Sequence, residues 1–176
     1  NEVVALQPVA QIGHSGKTEF PHLHFEVIRD GATLDPFTGL DIAEGCDTPS
    51  KSALWKNDTA YRPVALYVSG FTDKRPDFNK IEMDAASPET LPDDSAALVF
   101  WAGYFGARQG DNIKIEILSP NGDVFAERSI TQPKTRARQY YYAGKKNRNK
   151  LARGFYQGRM TVTRQDGGII SEVIES

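Results

Sequence analysis

Hydrophobic residues recur at every second position along much of the later part of the chain. Ile113, Ile115 and Ile117 alternate with Lys114 and Glu116, and Tyr156, Met160 and Val162 alternate with Gln157, Arg159 and Thr161. A period of two points successive side chains to opposite faces of a sheet, one packed and one wet. The pattern predicts strands over 63–71, 96–105, 112–118, 124–131, 136–143, 154–164 and 169–174. Ser119-Pro120-Asn121-Gly122-Asp123 and Gln165-Asp166-Gly167-Gly168 lie between such runs, and both are the tight-turn sequences that consecutive antiparallel strands require. About seven short strands in this space fit an immunoglobulin-like β-sandwich. Residues 73–95 are acidic and proline-containing and are expected to form a long loop.

The opening block is patterned differently. Val3, Val4 and Leu6, then Val9, Ala10 and Ile12, form two apolar runs split by Gln7-Pro8, a hairpin signal. After the loop His14-Ser15-Gly16-Lys17-Thr18, Leu23, Phe25 and Val27 alternate with His22, His24, Glu26 and Ile28, which predicts a further strand. Asp30-Gly31 is a turn, and Asp35-Pro36 with Thr38-Gly39 closes the block. Periodicity is then lost among Gly, Asp, Thr, Pro, Ser and Lys. The expected organisation is a first unit over 1–42, a connector over 43–60 with Leu54 and Trp55 docking on a neighbour, and a sandwich over 61–176.

Composition narrows the partners. With 39% apolar and 25% charged residues the chain can bury an ordinary core. A net charge of −2 supplies no global field for nucleic acid or an acidic membrane surface. The longest nearly apolar stretch, Ala96 to Ala107, is short of the roughly 20 residues a bilayer span needs, so no membrane span is expected. The chain opens at Asn1 directly in what reads as an element, so a processed or truncated chain is expected, with a sticky first strand that promotes self-association. The single Cys46 has no internal disulfide partner, leaving a buried thiol or a partner outside the chain.

The chemistry is concentrated in Pro21-His22-Leu23-His24-Phe25-Glu26-Val27. On a strand, His22 and His24 project from one face, roughly 7 Å apart at the backbone. That spacing lets one ring bind a metal while the other reaches a metal-bound water, although on spacing alone two solvent-facing histidines are the better reading. The surroundings add more. Ile12-Gly13-x-Ser15-Gly16, then Phe20-Pro21-His22-Leu23-His24-Phe25-Glu26-Val27, then Gly31 and Asp35-Pro36, resemble in order the C-terminal end of the lysostaphin-like (LytM-type) zinc endopeptidases that cut peptidoglycan peptide bridges. Phe20 departs from the more usual Gly.

The resemblance covers about residues 1 to 40 and implies that His24 is a zinc ligand and His22 the catalytic histidine assisting the metal-bound water. It implies a bacterial periplasmic or cell-envelope location and a peptidoglycan peptide as substrate. The family's other ligands, a His and an Asp, would lie before Asn1, in a missing N-terminal part of the same protein that then becomes this chain's partner. Catalytic zinc takes three protein ligands and a water, so the chain alone is expected to be inactive. The expected fold is therefore mainly β, a truncated antiparallel β-sheet of a LytM-type peptidase domain plus an immunoglobulin-like β-sandwich. The resemblance also suggests a disulfide from Cys46 to the absent part, stable only in an oxidising compartment. A degenerate, metal-free activator or scaffold of wall enzymes is the alternative, and a free-standing adhesive β module is a third.

Other candidates read as structural. His14 fits a surface loop histidine, Glu26 a sheet-surface pair or a partner orienting an imidazole, and Asp35 a turn cap. Ser15 and Lys17 lack the leading glycine and following helix of a phosphate loop, so nucleotide binding is set aside. Lys134 to Arg164 holds ten cations around Tyr140, Tyr141 and Tyr142. Aromatics beside cations suit a glycan or an anionic polymer, while a solvated hairpin face opposite an aromatic core is the blander and favoured reading. Trp55 and Trp101 read as core or interdomain residues.

Overall fold

The computed structural model describes residues 2–13, 16–17, 23–42, 53–57, 62–83, 90–164 and 169–175. It is mainly β and antiparallel, with nine strands and one short helix among those residues. Two compact units, Asn1–Tyr61 and Arg62–Ser176, divide the chain. No described helix is long and apolar enough to cross a membrane.

In the first unit, β1 (Val27–Arg29) and β2 (Ala32–Leu34) form a two-stranded hairpin with Val27 opposite Leu34. Asp30 and Gly31 join them with φ of 53° and 81°, the paired left-handed conformations of a type I′ turn that Asp-Gly readily adopts. The structure corrects two expectations here. Residues 2–12 hold a turn, with the Gln7 amide donating to the Val4 carbonyl at 3.1 Å, but no strands. Residues 23–26 also stand outside any strand, so the element expected to carry His24 starts only at Val27. Alternation assigns faces only once a neighbouring strand supplies the hydrogen bonds. Here Val4, Leu23 and Phe25 remain exposed, at 74, 73 and 60%.

The second unit follows its sequence pattern closely. Its strands are β3 (Ala65–Thr72), β4 (Ala97–Phe105), β5 (Asn112–Leu118), β6 (Val124–Thr131), β7 (Arg138–Lys146), β8 (Gln157–Thr163) and β9 (Ile169–Glu175). They form a three-stranded sheet, β3-β4-β7, and a four-stranded sheet, β6-β5-β8-β9. Counted within the unit, the first, second and fifth strands face the fourth, third, sixth and seventh, the Greek-key sandwich of immunoglobulin-like domains with the fourth strand paired to the third. Leu98, Phe100, Ala102 and Tyr104 of β4 meet Ile113, Ile115 and Ile117 of β5 and Met160 and Val162 of β8 in one core. Gly158 is required there, because a Cβ would lie 2.2 Å from the Phe100 ring.

β4 is buried on both faces. Val99 and Trp101 point away from the core yet are 7 and 2% exposed. Gly103 sits among them where a Cβ would meet Tyr140 and Val68 side chains at 2.7 Å. The expected long loop over 73–95 contains α1 (Phe78–Met83), whose Phe78 stacks on Tyr140 at 5.0 Å and lies 6.2 Å from Tyr142. A helix of one to two turns is marginal by propensity; packing of Phe78 on this outer aromatic layer is what the local sequence could not announce.

One end of the sandwich is closed by a buried polar network. Asp111 accepts from Arg164 Nε at 3.0 Å and Nη2 at 3.1 Å and from the Arg108 amide at 2.8 Å. The Gln132 amide donates to the Asp111 carbonyl, its side chain donates to the Lys134 carbonyl at 2.6 Å, and it accepts from the Tyr104 hydroxyl at 3.3 Å. Burial, reinforced by Tyr141 and Asp111, pushes the Tyr104 phenol far above its usual range, so it stays a donor. Burial alone would raise the Asp111 carboxyl, but the Arg164 and Arg108 hydrogen bonds outweigh it and hold the group below its ordinary value of 3.8. A carboxyl depressed in the folded state contributes stability above its unfolded value and loses it as pH falls through and below that value. Asp111→Asn is expected to cost about 3 kcal/mol in urea denaturation at neutral pH, because it strands a partly buried guanidinium. The gap between variant and parent should shrink as pH falls past the ordinary carboxyl value, and an unchanged gap in acid would contradict this assignment.

Candidate functional site

The sequence places its chemistry just before β1. His24 is described and exposed, three residues ahead of the hairpin. His22, His14 and Cys46 lie outside the described residues, so the paired projection of His22 and His24 and the disulfide expectation for Cys46 are not addressed by the structure.

Two carboxylates near His24 are held by backbone and hydroxyl groups. Thr33 Oγ1 on β2 donates to Glu26 Oε1 at 2.9 Å, which ties the residue entering β1 to the opposite strand. The Asp35 carboxylate accepts from the Phe37 amide at 2.8 Å, while its backbone amide donates to Leu40 at 2.9 Å and its carbonyl accepts from Gly39 at 2.7 Å. That is the turn-cap geometry Asp-Pro sequences favour. Leu34 and Asp41 then form an isolated bridge that closes the loop.

A small aromatic cluster sits on this scaffold. The Leu54 amide donates to the Pro36 carbonyl at 2.9 Å, bringing Trp55 against Phe25 at 6.0 Å, stacked, and against Phe37 at 5.6 Å, edge-on. Leu54 and Trp55 therefore dock on the first unit. Phe25 directly follows His24, so the Trp55 contact restrains the backbone that carries the imidazole. The sequence marked Trp55 as a docking residue without showing which side chains receive it, because the contact joins positions thirty residues apart.

Among the described residues no three His, Cys, Asp or Glu side chains gather closely enough to hold a metal ion. At and around the hairpin the described donors are the exposed His24 imidazole, the Glu26 and Asp35 carboxylates that already accept hydrogen bonds, Asp30 in the turn and Asp41 at the Leu34 bridge. Catalytic zinc takes three protein ligands with one position left for water. The described residues do not by themselves make that centre.

No protein-family model matches the chain, and no curated protein matches it. Among solved structures it is similar to the crystal structure of an endonuclease/exonuclease/phosphatase from Beutenbergia cavernae DSM 12333. The identity is 11%, the match covers 47% of this chain and 21% of that chain, and the TM-score is 0.31. The chain thus spans about a fifth of that protein's length. A likeness this distant says nothing about activity.

The aromatic cluster has a local signature. Each edge or stacked ring contact adds about 1 kcal/mol beyond its buried area. Trp55→Ala is expected to speed amide exchange over residues 25–40 roughly tenfold or more, with the ring-current shifts of Phe25 and Phe37 lost. Unchanged exchange there would show that Trp55 does not brace the segment bearing His24.

Proposed function

We propose that residues 1–42 are the closing stretch of a LytM-type zinc endopeptidase domain that hydrolyses peptidoglycan peptides in a bacterial envelope, followed by an immunoglobulin-like accessory unit. In this reading His24 is one zinc ligand, His22 is the catalytic histidine, and the remaining ligands come from polypeptide outside residues 1–176. The observation that carries it is the ordered run from Ile12-Gly13 through Pro21-His22-Leu23-His24-Phe25-Glu26-Val27 to Asp35-Pro36. The arrangement around His24 supports it. An exposed imidazole at the mouth of a hairpin is free to meet a metal, while the Glu26 and Asp35 carboxylates hold the hairpin and Trp55 braces it against Phe25.

What this chain's own residues do is limited. His24 presents a ring nitrogen, and the Glu26–Thr33 bond together with the Phe25–Trp55 contact orients the segment that carries it. One imidazole does not hold catalytic zinc, so the 176-residue chain is expected to be zinc-free and inactive on its own. The adjoining sandwich positions the enzyme on its substrate in this account.

The test uses the full-length gene product. One zinc per chain and peptidoglycan cleavage are expected, with His24→Ala losing both and His22→Ala keeping the metal while losing most activity, roughly 100-fold or more for a histidine acting in proton transfer. A full-length protein that binds no zinc and cuts no peptidoglycan would overturn the hydrolase reading and favour the scaffold.

A further inference from the structure

Charge in this chain is segregated in a way its net value hides. Residues 134–164 carry ten lysines and arginines and no aspartate or glutamate, although the whole chain is at −2. A surface kept merely soluble mixes both signs, and β7 and β8, which lie in different sheets, do not form the hairpin that this charge run suggested. The cations fall at the two ends of β7. At the start of that strand Arg164 is consumed by Asp111; at its far end, most of a nine-residue strand away, or roughly 25 Å, they gather on the loop over 147–156.

That loop is built into the sandwich. The Leu151 amide donates to the Asp93 carbonyl at 2.7 Å, the Asn147 amide donates to Ala96 at 2.9 Å, and Asn147 Nδ2 donates to the Ser95 carbonyl at 2.8 Å. Gly154 has a φ of 137° and sits where a Cβ would lie 2.8 Å from Pro120, so the loop also leans on the β5–β6 turn. Lys150 and Arg153 reach Asp93 at 3.3 and 3.7 Å with side chains 74 and 92% exposed, pairs too wet to neutralise them firmly. Lys145 lies 4.2 Å above the Phe125 ring, which meets Tyr156 edge-on. Lys146 and Arg148 are exposed with no carboxylate within ion-pair distance among the described residues. On the same loop Phe155 stands 84% exposed. Carboxylates at this end besides Asp93 include the exposed Asp94 and Asp123, the latter engaged by Asn121 at 2.6 Å, and Glu175, which β9 places opposite Gly158.

We propose that this end of the sandwich, centred on Lys146, Arg148 and Phe155, binds an anionic glycan, a sugar polymer with a carboxylate on its repeats. A bare aromatic ring offers a flat apolar face to the C–H face of a pyranose, and the flanking cations meet its carboxylates through charge-assisted hydrogen bonds. The anchored backbone lowers the ordering cost of binding. Nucleic acid fits less well. Its dense phosphates usually engage about 6–10 cations, whereas three lie on this loop, two more (Lys145 and Lys146) end β7, and the rest of the chain is strongly acidic. The proposal does not depend on the cleavage reading.

The purified 176-residue chain should be titrated with polygalacturonate, with its methyl-esterified, uncharged counterpart, and with a single-stranded oligonucleotide, at low and high salt. Polygalacturonate is expected to bind, with affinity falling as salt rises. Lys146→Gln with Arg148→Gln should weaken it roughly tenfold, and Phe155→Ala roughly fivefold, with Phe155→Tyr retaining it. Lys134→Gln with Arg136→Gln, at the opposite end, should leave it unchanged, and all variants should keep the parent's unfolding midpoint because the altered side chains are exposed. Absent binding, equal binding of the methyl ester, tighter binding of the oligonucleotide, or an equal loss in the Lys134/Arg136 variant would each overturn the assignment.

Discussion

Burial of β4 on both faces is the constraint from which the sandwich follows. Its inward side chains, Leu98, Phe100, Ala102 and Tyr104, lock the two sheets together, while Val99 and Trp101 on the other face need a second cover. A strand with water on neither side reads as a continuous apolar run rather than an alternation, as Ala96 to Phe105 does. The small residues at the crowded points are consequences. Gly103 makes room for Tyr140 and Val68, and Gly158 for Phe100. Phe78 of the short α1 then joins the outer layer on Tyr140 and Tyr142.

The same constraint explains what was legible in the sequence. Strands β5 and β6 fall at the boundaries their alternation predicts, and β3, β4, β7, β8 and β9 lie within a few residues of theirs. Each has a neighbour on the sheet and a core to face, so local pattern and tertiary environment agree. In the first unit they do not agree. Residues 2–12 carry the apolar runs of a hairpin and 23–26 the alternation of a strand without becoming strands, and their apolar side chains stay exposed. The Asp30-Gly31 hairpin turn was legible because its chemistry is local. The docking of Trp55 on Phe25 and Phe37, and the Asp111–Arg164 pair joining positions far apart in sequence, depend on contacts that periodicity does not encode.

For the candidate site the division is sharper. The motif around His24 was legible as an ordered string of residues, and the structure adds an exposed imidazole beside a braced hairpin. The basic loop over 147–156 was legible only as a charge run. Its anchoring by Asp93, Ser95 and Ala96 and the exposure of Phe155 on the same loop distinguish it from an ordinary solvated face. The two units thus carry separate proposals, one resting on an imidazole and the other on a rigid cationic surface.

The central claim is that His24 is a zinc ligand in the intact protein. A crystal structure of the full-length gene product, with anomalous data collected at the zinc edge, tests it most directly. The account expects a peak about 2.0–2.1 Å from one ring nitrogen of His24, the usual zinc–histidine distance, with His22 close by but unbound. A zinc ion coordinated elsewhere, with the His24 ring turned to solvent, would contradict it.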